Sequence, residues 1–292
     1  MKAQNKKPTI GFIGQGWIGK NYSDDLERRG YDVVRFSLEK EYVGNKQKIA
    51  FCDIVFIAVP TPTTPKGFDD SLLRAVLPLV GKGKIAVIKS TLVLGKTEQL
   101  QSAFPSIFVL HSPEFLSERT AAYDAQHPTR NIIGLPKQTP KFKACANRVM
   151  SVLPKAEYSL ICSSIEAEFI KYSHNVNGYI QVVLSNVLYD IADKSGMKWD
   201  TLKSAFNADP MMSHRYLNPF DTKKGRGAGG HCFIKDFEAF IEIAKKSRIK
   251  GVSIKMLEAI RNSNVELLVS SGKDIELVKG VYDKKFLSKL RS

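Results

Sequence analysis

The sequence lacks the residue patterns of a disulfide-stabilised, metal-binding or membrane-spanning protein. Its four cysteines lie far apart and form no CxxC pair. We therefore expect free thiols in a reducing cytosol and no metal site. No apolar run approaches the roughly 18 residues that a membrane span needs, and the first residues are polar and unlike a signal sequence. The sequence also has no internal repeat, and it predicts a cytoplasmic protein with no membrane partner.

A concentrated basic patch is also missing, although the chain is basic overall. It carries 44 Lys+Arg against 29 Asp+Glu, a formal net charge of +15 at pH 7. The lysines are scattered rather than gathered on one helix, which favours anionic small molecules over nucleic acid as ligands. The exception is the stretch 273–291, which is rich in lysine and arginine. We interpret residues 266–292 as a short basic C-terminal tail exposed to solvent.

The first half of the chain alternates between short apolar runs and helical patterns. A length of 292 residues with 43% hydrophobic residues suits two globular domains. Apolar runs without polar interruption are typical of parallel strands that are buried on both faces. The fold prediction is therefore α/β, with a Rossmann-type doubly wound parallel sheet over residues 1–160. The strands are expected at 9–13, 32–36, 53–59, 84–89, 107–111 and 131–134.

From residue 163 the hydrophobic period becomes helical. Ser163 and Glu166 have the spacing of a capping box, and apolar residues recur every three or four positions up to Gly196. A helix of about 30 residues is longer than usual in a globular domain. We expect it to be the main helix of an all-α domain over 161–265, and to form a homodimer through residues 163–195.

A glycine-rich turn between the first strand and the first helix predicts a dinucleotide site. Gly14 suits a tight turn, Gly16 close approach of a pyrophosphate, and Gly19 packing of the helix on the strand. The helix start then offers free N–H groups to phosphates. The cofactor residues predicted here are Gly14, Gly16, Trp17, Ile18 and Gly19.

The residue after the second strand is Ser37, where an acidic residue would bind the ribose of NAD. NAD is the predicted cofactor, but NADP stays open because Arg35 or Lys40 could accept a 2′-phosphate. Each later strand also delivers polar residues at its carboxyl end, where such folds bind ligands. This edge adds Val59, Pro60, Thr61, Thr91, Glu114 and Glu118 as candidate site residues.

The stretch 225–236 contains four glycines and one thiol, that of Cys232. Glycine permits positive φ angles and lets another molecule come close, so a substrate could reach this thiol. A helical pattern begins at Phe237, with Asp236 as its expected N-cap. A cysteine beside a helix N-terminus is a typical place for a nucleophilic thiolate, although most cysteines are simply small buried hydrophobes.

These stretches together resemble the UDP-glucose/GDP-mannose dehydrogenase family from Thr9 to about Asn264. Six blocks carry the resemblance in the right order. They are Gly14–Gly19, Val59-Pro-Thr-Pro62, Lys89-Ser-Thr91, Ser112-Pro-Glu-Phe-Leu-Ser-Glu118, Glu166-Ala-Glu-Phe-Ile-Lys-Tyr172 with Asn175, and Gly227-Ala-Gly-Gly-His-Cys-Phe-Ile-Lys-Asp236.

The resemblance implies oxidation of the C6 alcohol of a nucleotide sugar to a carboxylate by two hydride transfers. Cys232 would be the nucleophile, Lys171 and Asn175 would stabilise oxyanions, and Glu118 would activate water. Thr91 and Asp236 would position that water. Lys235 is expected to contact cofactor, and the remaining substrate-binding residues would be Glu114, Phe115, Arg215, Tyr216, Asn218 and Gly229.

The sequence departs from the family pattern after Asn264 and beside Cys232. About 28 residues follow Asn264, too few for the family's C-terminal nucleotide-sugar-binding domain, and Phe233-Ile234 stands where the family usually has Leu-Pro. Two other functions therefore stay open. One is a two-electron 3-hydroxyacid-type dehydrogenase, and the other is a nucleotide-binding scaffold without catalysis.

Overall fold

The computed structural model describes residues 7–212, 214–220 and 225–289. Four parts of the chain lie outside the described residues. They are residues 1–6 at the start of the first predicted domain, Ser213, residues 221–224, and residues 290–292 at the end of the predicted tail. The chain divides into two compact units. The first contains the residues up to Thr61 and Asp69–Lys171, and the second contains Pro62–Phe68 and the residues from Tyr172 onward.

The first unit is built on one seven-stranded sheet, in the order β2-β1-β3-β6-β7-β8-β9. All neighbouring strands are parallel except β7 and β8, which are antiparallel. This topology confirms the predicted Rossmann-type sheet. The strands are β1 (Ile10–Ile13), β2 (Val33–Phe36), β3 (Ile54–Ile57), β6 (Ile85–Ile88), β7 (Phe108–His111), β8 (Arg130–Leu135) and β9 (Tyr158–Ser163).

Strand direction around β1 explains where a ligand can bind. β1 pairs with β2 on one side and with β3 on the other. The chain therefore reverses its direction of travel across the sheet at β1, which opens a crevice at the carboxyl ends of β1 and β3. The helices of this unit are α1 (Trp17–Arg28), α2 (Ser71–Val76), α3 (Lys96–Ala103), α4 (Ala121–Gln126) and α5 (Pro140–Val152).

The core of the first unit lies between the sheet and these helices. The strands β1, β3 and β6 are buried along their whole length, as their unbroken apolar sequences predict. Phe12 stacks on Phe56 with ring centroids 5.6 Å apart, and Tyr22 from α1 lies 6.4 Å from Phe12. The helix that carries the glycine-rich turn is thereby packed against the centre of the sheet.

The second unit is mostly helical. Helix α6 (Ser164–Lys194) has 31 residues, which confirms the predicted long helix, and the boundary between the units falls inside it. Its capping box also forms, since Ser163 Oγ accepts the N–H of Glu166 while Glu166 Oε2 accepts the N–H of Ser163. The other helices are α7 (Trp199–Ala208), α8 (Gly230–Lys246), α9 (Val252–Ser271), α10 (Ile275–Val281) and α11 (Lys284–Lys289).

Three features differ from the sequence predictions. A short antiparallel pair, β4 (Thr63–Thr64) and β5 (Gly67–Phe68), stands where only a loop is expected, and it belongs to the second unit. β9 is an additional strand. The units divide after Lys171 rather than at residue 160, and Ser164 and Ala167 in the first turn of α6 lie against Gly134 of β8.

The segment predicted as a solvated tail is helical as far as it is described. Val278, Val281 and Tyr282 are buried in one cluster with Ile234, Val265 and Leu268. Burial of these apolar side chains outweighs the local excess of lysine, since Glu276, Lys279 and Asp283 to Lys285 remain exposed. Among the described residues, no helix is long and apolar enough to cross a membrane.

Candidate active site

The glycine-rich turn has the geometry of a pyrophosphate cradle. Gly14 has φ +90°, and a Cβ there would lie 2.4 Å from the carbonyl oxygen of Ala58. A Cβ at Gly19 would lie 1.8 Å from the carbonyl oxygen of Gly14, so α1 packs against the turn only with glycine at this position. A Cβ at Gly16 would meet no described atom within 4 Å, which leaves room for a ligand.

The N-terminus of α1 suits an anion. The helix begins at Trp17, its N-cap Gly16 makes no side-chain capping bond, and its first turn contains no acidic residue. The first N–H groups and the helix dipole therefore favour a phosphate at this point. Trp17 is partly exposed here, at 39%, and Ile18 packs against the core. These features of the turn and helix fit the pyrophosphate of a dinucleotide.

The end of β2 bears on the choice between NAD and NADP. The Arg35 guanidinium is paired with Asp24 Oδ1 at 2.7 Å and with Glu27 Oε2 at 2.6 Å. These two carboxylates hold the pKa of Arg35 above its usual range although burial opposes them. Ser37 Oγ accepts the N–H of Glu39 at 3.2 Å. Arg35 is therefore engaged by protein carboxylates, and Lys40 is the exposed cation of the two that were predicted for a 2′-phosphate.

Two hydrogen bonds join the carboxyl ends of β3 and β6. Thr61 Oγ1 donates to the carbonyl oxygen of Thr91 at 2.9 Å, and Ser90 Oγ donates to that of Val59 at 2.7 Å. Pro60 lies between these bonds and is exposed. The structure thus brings Val59, Thr61 and Thr91 together at the sheet edge.

Glu114 and Glu118 lie in different environments after β7. Glu114 is 6% exposed and pairs with the buried Lys89 at 3.0 Å. Its Oε1 also accepts the N–H groups of Phe115 and Leu116, at 2.6 and 2.9 Å. The Glu114 carboxylate therefore organises its own loop. Glu118 is exposed at the start of a short 3-10 helix.

Lys171 is a buried lysine near the end of the first unit. It is 8% exposed, and its Nζ lies 5.4 Å from the centre of the Phe115 ring. The ring face attracts the ammonium and shields it from water. Lys171 and Phe115, which were predicted separately as substrate ligands, are therefore neighbours.

Glu168, on the same turn of α6, is a residue that the sequence reasoning missed. It is fully buried and accepts the N–H groups of Gly95 and Thr97 at 2.6 and 2.8 Å, together with the Thr97 hydroxyl at 2.6 Å. It therefore caps the N-terminus of α3 from another helix. Burial raises its pKa to about 7. The sequence did contain one indication of this residue, since a position three residues before Lys171 lies on the same face of the helix.

A buried polar group forms in the second unit around Asp236, which is fully buried on α8. Asn175 Nδ2 donates to Asp236 Oδ2 at 2.5 Å, and Lys235 Nζ lies 2.5 Å from Asp236 Oδ1. Asp236 thus fixes the direction of the Asn175 amide. Asn175 and Asp236, which the sequence analysis assigns to different roles, are in direct contact.

Cys232 lies inside α8, since the helix begins at Gly230 and not at Phe237. The prediction of Asp236 as N-cap is therefore wrong, and Gly229 is the N-cap. The run of glycines before Cys232 favours a loop in the sequence, yet the helix already includes Gly230. Cys232 consequently occupies the first turn.

Exposure separates Cys232 from the other three thiols. Cys232 is exposed, whereas Cys52 is buried and Cys145 and Cys162 are half-buried. Burial raises the pKa of Cys52 and of Cys162 to about 11 and also raises that of Cys145. A thiol must be accessible and ionised to act as a nucleophile. Among the four, Cys232 is the cysteine that is exposed and lies in the first turn of a helix.

The remaining substrate candidates lie before α8. The carbonyl of Tyr216 accepts the Ser185 hydroxyl at 2.7 Å, and its ring lies 5.8 Å from that of Phe233. The Arg215 guanidinium lies 5.8 Å from the Tyr216 ring. Asn218 is exposed. Phe233, the departure noted in the sequence, therefore packs on the loop that carries these residues.

Comparison with known proteins assigns the family. The chain matches the NAD binding domain of the UDP-glucose/GDP-mannose dehydrogenase family over residues 39–152, and its central domain over 165–266. The chain belongs to the UDP-glucose/GDP-mannose dehydrogenase family. The match confirms the resemblance that the six sequence blocks indicate, and the NAD binding domain confirms NAD as the predicted cofactor.

Individual relatives are distant. UDP-glucose 6-dehydrogenase YwqF of Bacillus subtilis (strain 168) is 26% identical over 259 residues, which make up 84% of this chain and 56% of that protein. The chain thus spans little more than half the length of this family member.

Solved structures share the fold at low identity. A UDP-glucose dehydrogenase from Pyrobaculum islandicum superposes with a TM-score of 0.76 at 22% identity, covering 91% of this chain and 69% of that one. A 3-hydroxyisobutyrate dehydrogenase from Salmonella typhimurium gives 0.68 at 14% identity, covering 93% and 99%. These similarities establish the fold, which both classes of dehydrogenase have in common.

Proposed function

We propose that this protein oxidises the C6 alcohol of a nucleotide sugar to a carboxylate, with NAD as the hydride acceptor. The observation that carries the proposal is the exposed thiol of Cys232 in the first turn of α8. An alcohol-to-acid oxidation needs a covalent nucleophile for its second half, whereas a two-electron oxidation does not. The family match and the polar group around Asp236 support the same reaction.

The proposed chemistry at Cys232 has three steps. The first oxidation removes the hydroxyl proton and a hydride from C6 and leaves an aldehyde. The thiolate then forms a C–S bond to the aldehyde carbon, and loss of a hydride from this thiohemiacetal gives a thioester. Water attacks the thioester carbon, the C–S bond breaks, and the carboxylate and free thiol are released. Two NAD molecules, bound in turn, would each supply the acceptor for one of the two hydrides.

Other side chains act on the charges of these steps. Lys171 and Asn175 stabilise the oxyanions, because an ammonium and an amide N–H donate hydrogen bonds where negative charge develops. Glu118 takes the proton from the attacking water, and Thr91 and Asp236 position that water. Asp236 also fixes the Asn175 amide, which lowers the cost of orienting it in the transition state.

The remaining predicted residues bind the ligands. The turn from Gly14 to Gly19 would hold the pyrophosphate of NAD, and Ser37 and the Val59–Thr61 loop would contact other parts of the cofactor. Lys235 would contribute a positive charge to the binding of the cofactor. Glu114 and Phe115 shape the sugar site through their loop, and the sugar nucleotide is bound by Arg215, Tyr216, Asn218 and Gly229.

A stoichiometry assay tests the reaction. Purified protein is incubated with UDP-glucose, UDP-N-acetylhexosamines or GDP-mannose and NAD or NADP, and reduced cofactor is measured by absorbance. Two reduced cofactors for each sugar oxidised are expected. Cys232→Ala should stop the reaction at the aldehyde, with one reduced cofactor. The wild type is also incubated with a 3-hydroxyacid, and one reduced cofactor for each molecule oxidised would support the two-electron alternative. No reduced cofactor with any of these substrates would support a scaffold.

We also infer that the protein forms a homodimer through α6. Leu184, Val187 and Ile191 are 53%, 44% and 54% exposed and lie three and four residues apart, so they share one face of the helix. Three neighbouring apolar side chains on a helix surface suit a second copy of the same chain. Light scattering after gel filtration should give twice the chain mass. Val187→Glu should give the monomer mass, and a monomeric wild type would contradict the inference.

A further inference from the structure

Three side chains from the end of α9 and the turn after it bind the glycine-rich loop before Cys232. Ser271 Oγ accepts the N–H of Arg226 at 3.0 Å, and Lys273 Nζ donates to the carbonyl oxygen of Gly227 at 2.9 Å. Asp274 Oδ2 accepts the N–H of Gly230 at 2.7 Å. Gly230 is the first residue of α8.

A fourth side chain, that of Asn264, completes this set. Its Oδ1 accepts the N–H of Ala228 at 2.6 Å, and its Nδ2 donates to the carbonyl oxygen of the same residue at 3.0 Å. Buried backbone groups need partners, and a loop without regular structure obtains them from side chains. We call Asn264, Ser271, Lys273 and Asp274 the clamp.

The glycines of the loop have a reason that the sequence did not indicate. A Cβ at Gly229 would lie 2.1 Å from Asp274 Oδ2, and a Cβ at Gly225 would lie 2.7 Å from Lys273 Cβ. At both positions a clamp side chain occupies the space that a Cβ would fill. The glycines predicted to admit a substrate therefore also admit side chains of the chain's own later segment.

Asp274 has an unusual conformation that fits this role. Its φ is +54°, in the left-handed region that side chains seldom adopt. It is also the N-cap residue of α10, yet its side chain makes no capping bond there. Its carboxylate is instead bonded to the first residue of α8. Asp274 lies beyond residue 266, where the match to the family's central domain ends.

We propose that Asp274 is a positioning residue that fixes the start of α8 and so holds the thiol of Cys232 in place. Cys232 is two residues after Gly230, in the same helical turn, so any movement of the Gly230 backbone carries Cys232 with it. The proposal depends on the proposed function only for the role of Cys232 in catalysis. The fixed loop itself can be tested without substrate.

Two variants separate the hydrogen bond from the backbone conformation. Asp274→Gly removes the acceptor and adopts a positive φ without strain, whereas Asp274→Asn keeps a carbonyl oxygen and tolerates the left-handed region. Asp283→Gly is the matched control. Asp283 Oδ1 accepts the N–H of Phe286 in α11 and makes no described contact with the loop.

Hydrogen exchange and alkylation are measured on the protein without ligands. For Asp274→Gly we expect amide exchange in the peptide around residues 226–232 to rise at least tenfold, and iodoacetamide to modify Cys232 at least threefold faster. For Asp274→Asn and Asp283→Gly, both rates should stay within twofold of the wild type. In initial-rate measurements with nucleotide sugar and NAD, kcat for aldehyde oxidation should fall at least tenfold in Asp274→Gly, with KM nearly unchanged. Asp274→Asn should have the kcat of the wild type.

The outcomes distinguish the two proposals. Exchange and alkylation within twofold of the wild type in Asp274→Gly would overturn the clamp, whatever the enzyme does. Wild-type protein that oxidises no nucleotide sugar would overturn the proposed function, while the exchange data would still decide on the clamp. If Asp274→Gly does not fold, Lys273→Met, which removes the donor to Gly227, is measured in the same way, and unchanged exchange would overturn the proposal.

Discussion

Glu168 on α6 accepts both the backbone N–H and the hydroxyl of Thr97 on α3, at 2.8 and 2.6 Å, from a fully buried position. The side chain of one helix thus supplies the N-terminal cap of another. Glu168 lies three residues before Lys171 on the same turn of α6, and the proposed mechanism uses this lysine. The cap therefore holds in place the part of α6 that carries this lysine.

Glu168→Ala should strongly destabilise the protein. The change leaves the N–H groups of the half-buried Gly95 and the buried Thr97 without an acceptor, and a buried unsatisfied donor costs about 1–3 kcal/mol. We expect the free energy of unfolding, measured by urea denaturation, to fall by at least about 2 kcal/mol. Glu166→Ala is the control, since that residue caps α6 from an exposed position. An equal or larger loss in the control would contradict the prediction.

Stability should also depend on pH through Glu168. Three donors favour the carboxylate, but burial outweighs them and raises the pKa from 4.5 to about 7. The folded state then binds more protons than the unfolded state between these values, so this group's contribution to stability is lost as pH rises from about 4.5 to about 7. Relative to Glu168→Gln, which does not titrate, the wild type should therefore lose stability over this window. A constant difference between pH 4.5 and 8 would sink the idea.

The four thiols should react at different rates. Cys232 is exposed, while burial raises the pKa of Cys52 and Cys162 to about 11 and so keeps both protonated at pH 8. Limited treatment with iodoacetamide at pH 8, followed by mass spectrometry of peptides, should show Cys232 modified at least tenfold faster than the others. Cys232→Ser should remove the fast reaction. Faster modification of Cys52 or Cys162 would mean that the exposure assigned here is wrong.

The sheet and the long helix could be predicted because their signals are local. The buried strands have unbroken apolar sequences, and the capping box at Ser163 marks the start of α6 within one residue. The glycine-rich turn is recognised from consecutive residues, so the need for glycine at positions 14 and 19 could be predicted without coordinates. Period, caps and turns are properties of a short window.

Other features depend on partners far along the chain. The start of α8 differs from the prediction because the run of four glycines that ends at Gly230 is typical of a loop, while the Asp274 carboxylate that binds the first N–H of the helix is 44 residues away. Glu168 looks like a surface residue until α3 is placed above it. The segment after residue 266 reads as a charged tail, because the sequence does not show which of its apolar side chains meet the core.

Removing the Asp236 carboxylate should test the oxyanion role of Asn175. Asp236→Ala takes away the acceptor that fixes the Asn175 amide, and loss of one aligned oxyanion donor reduces kcat by roughly 100-fold to 1,000-fold. Because Asn175 is proposed to act mainly when negative charge develops, KM for the nucleotide sugar should change much less than kcat.

Asp236→Asn keeps one carbonyl oxygen and should retain more activity if that oxygen faces Asn175. Steady-state kinetics on both variants, with circular dichroism to confirm folding, checks the prediction. A folded Asp236→Ala variant with raised KM and unchanged kcat would show instead that Asp236 serves ground-state binding, and would remove Asn175 from the proposed transition-state contacts.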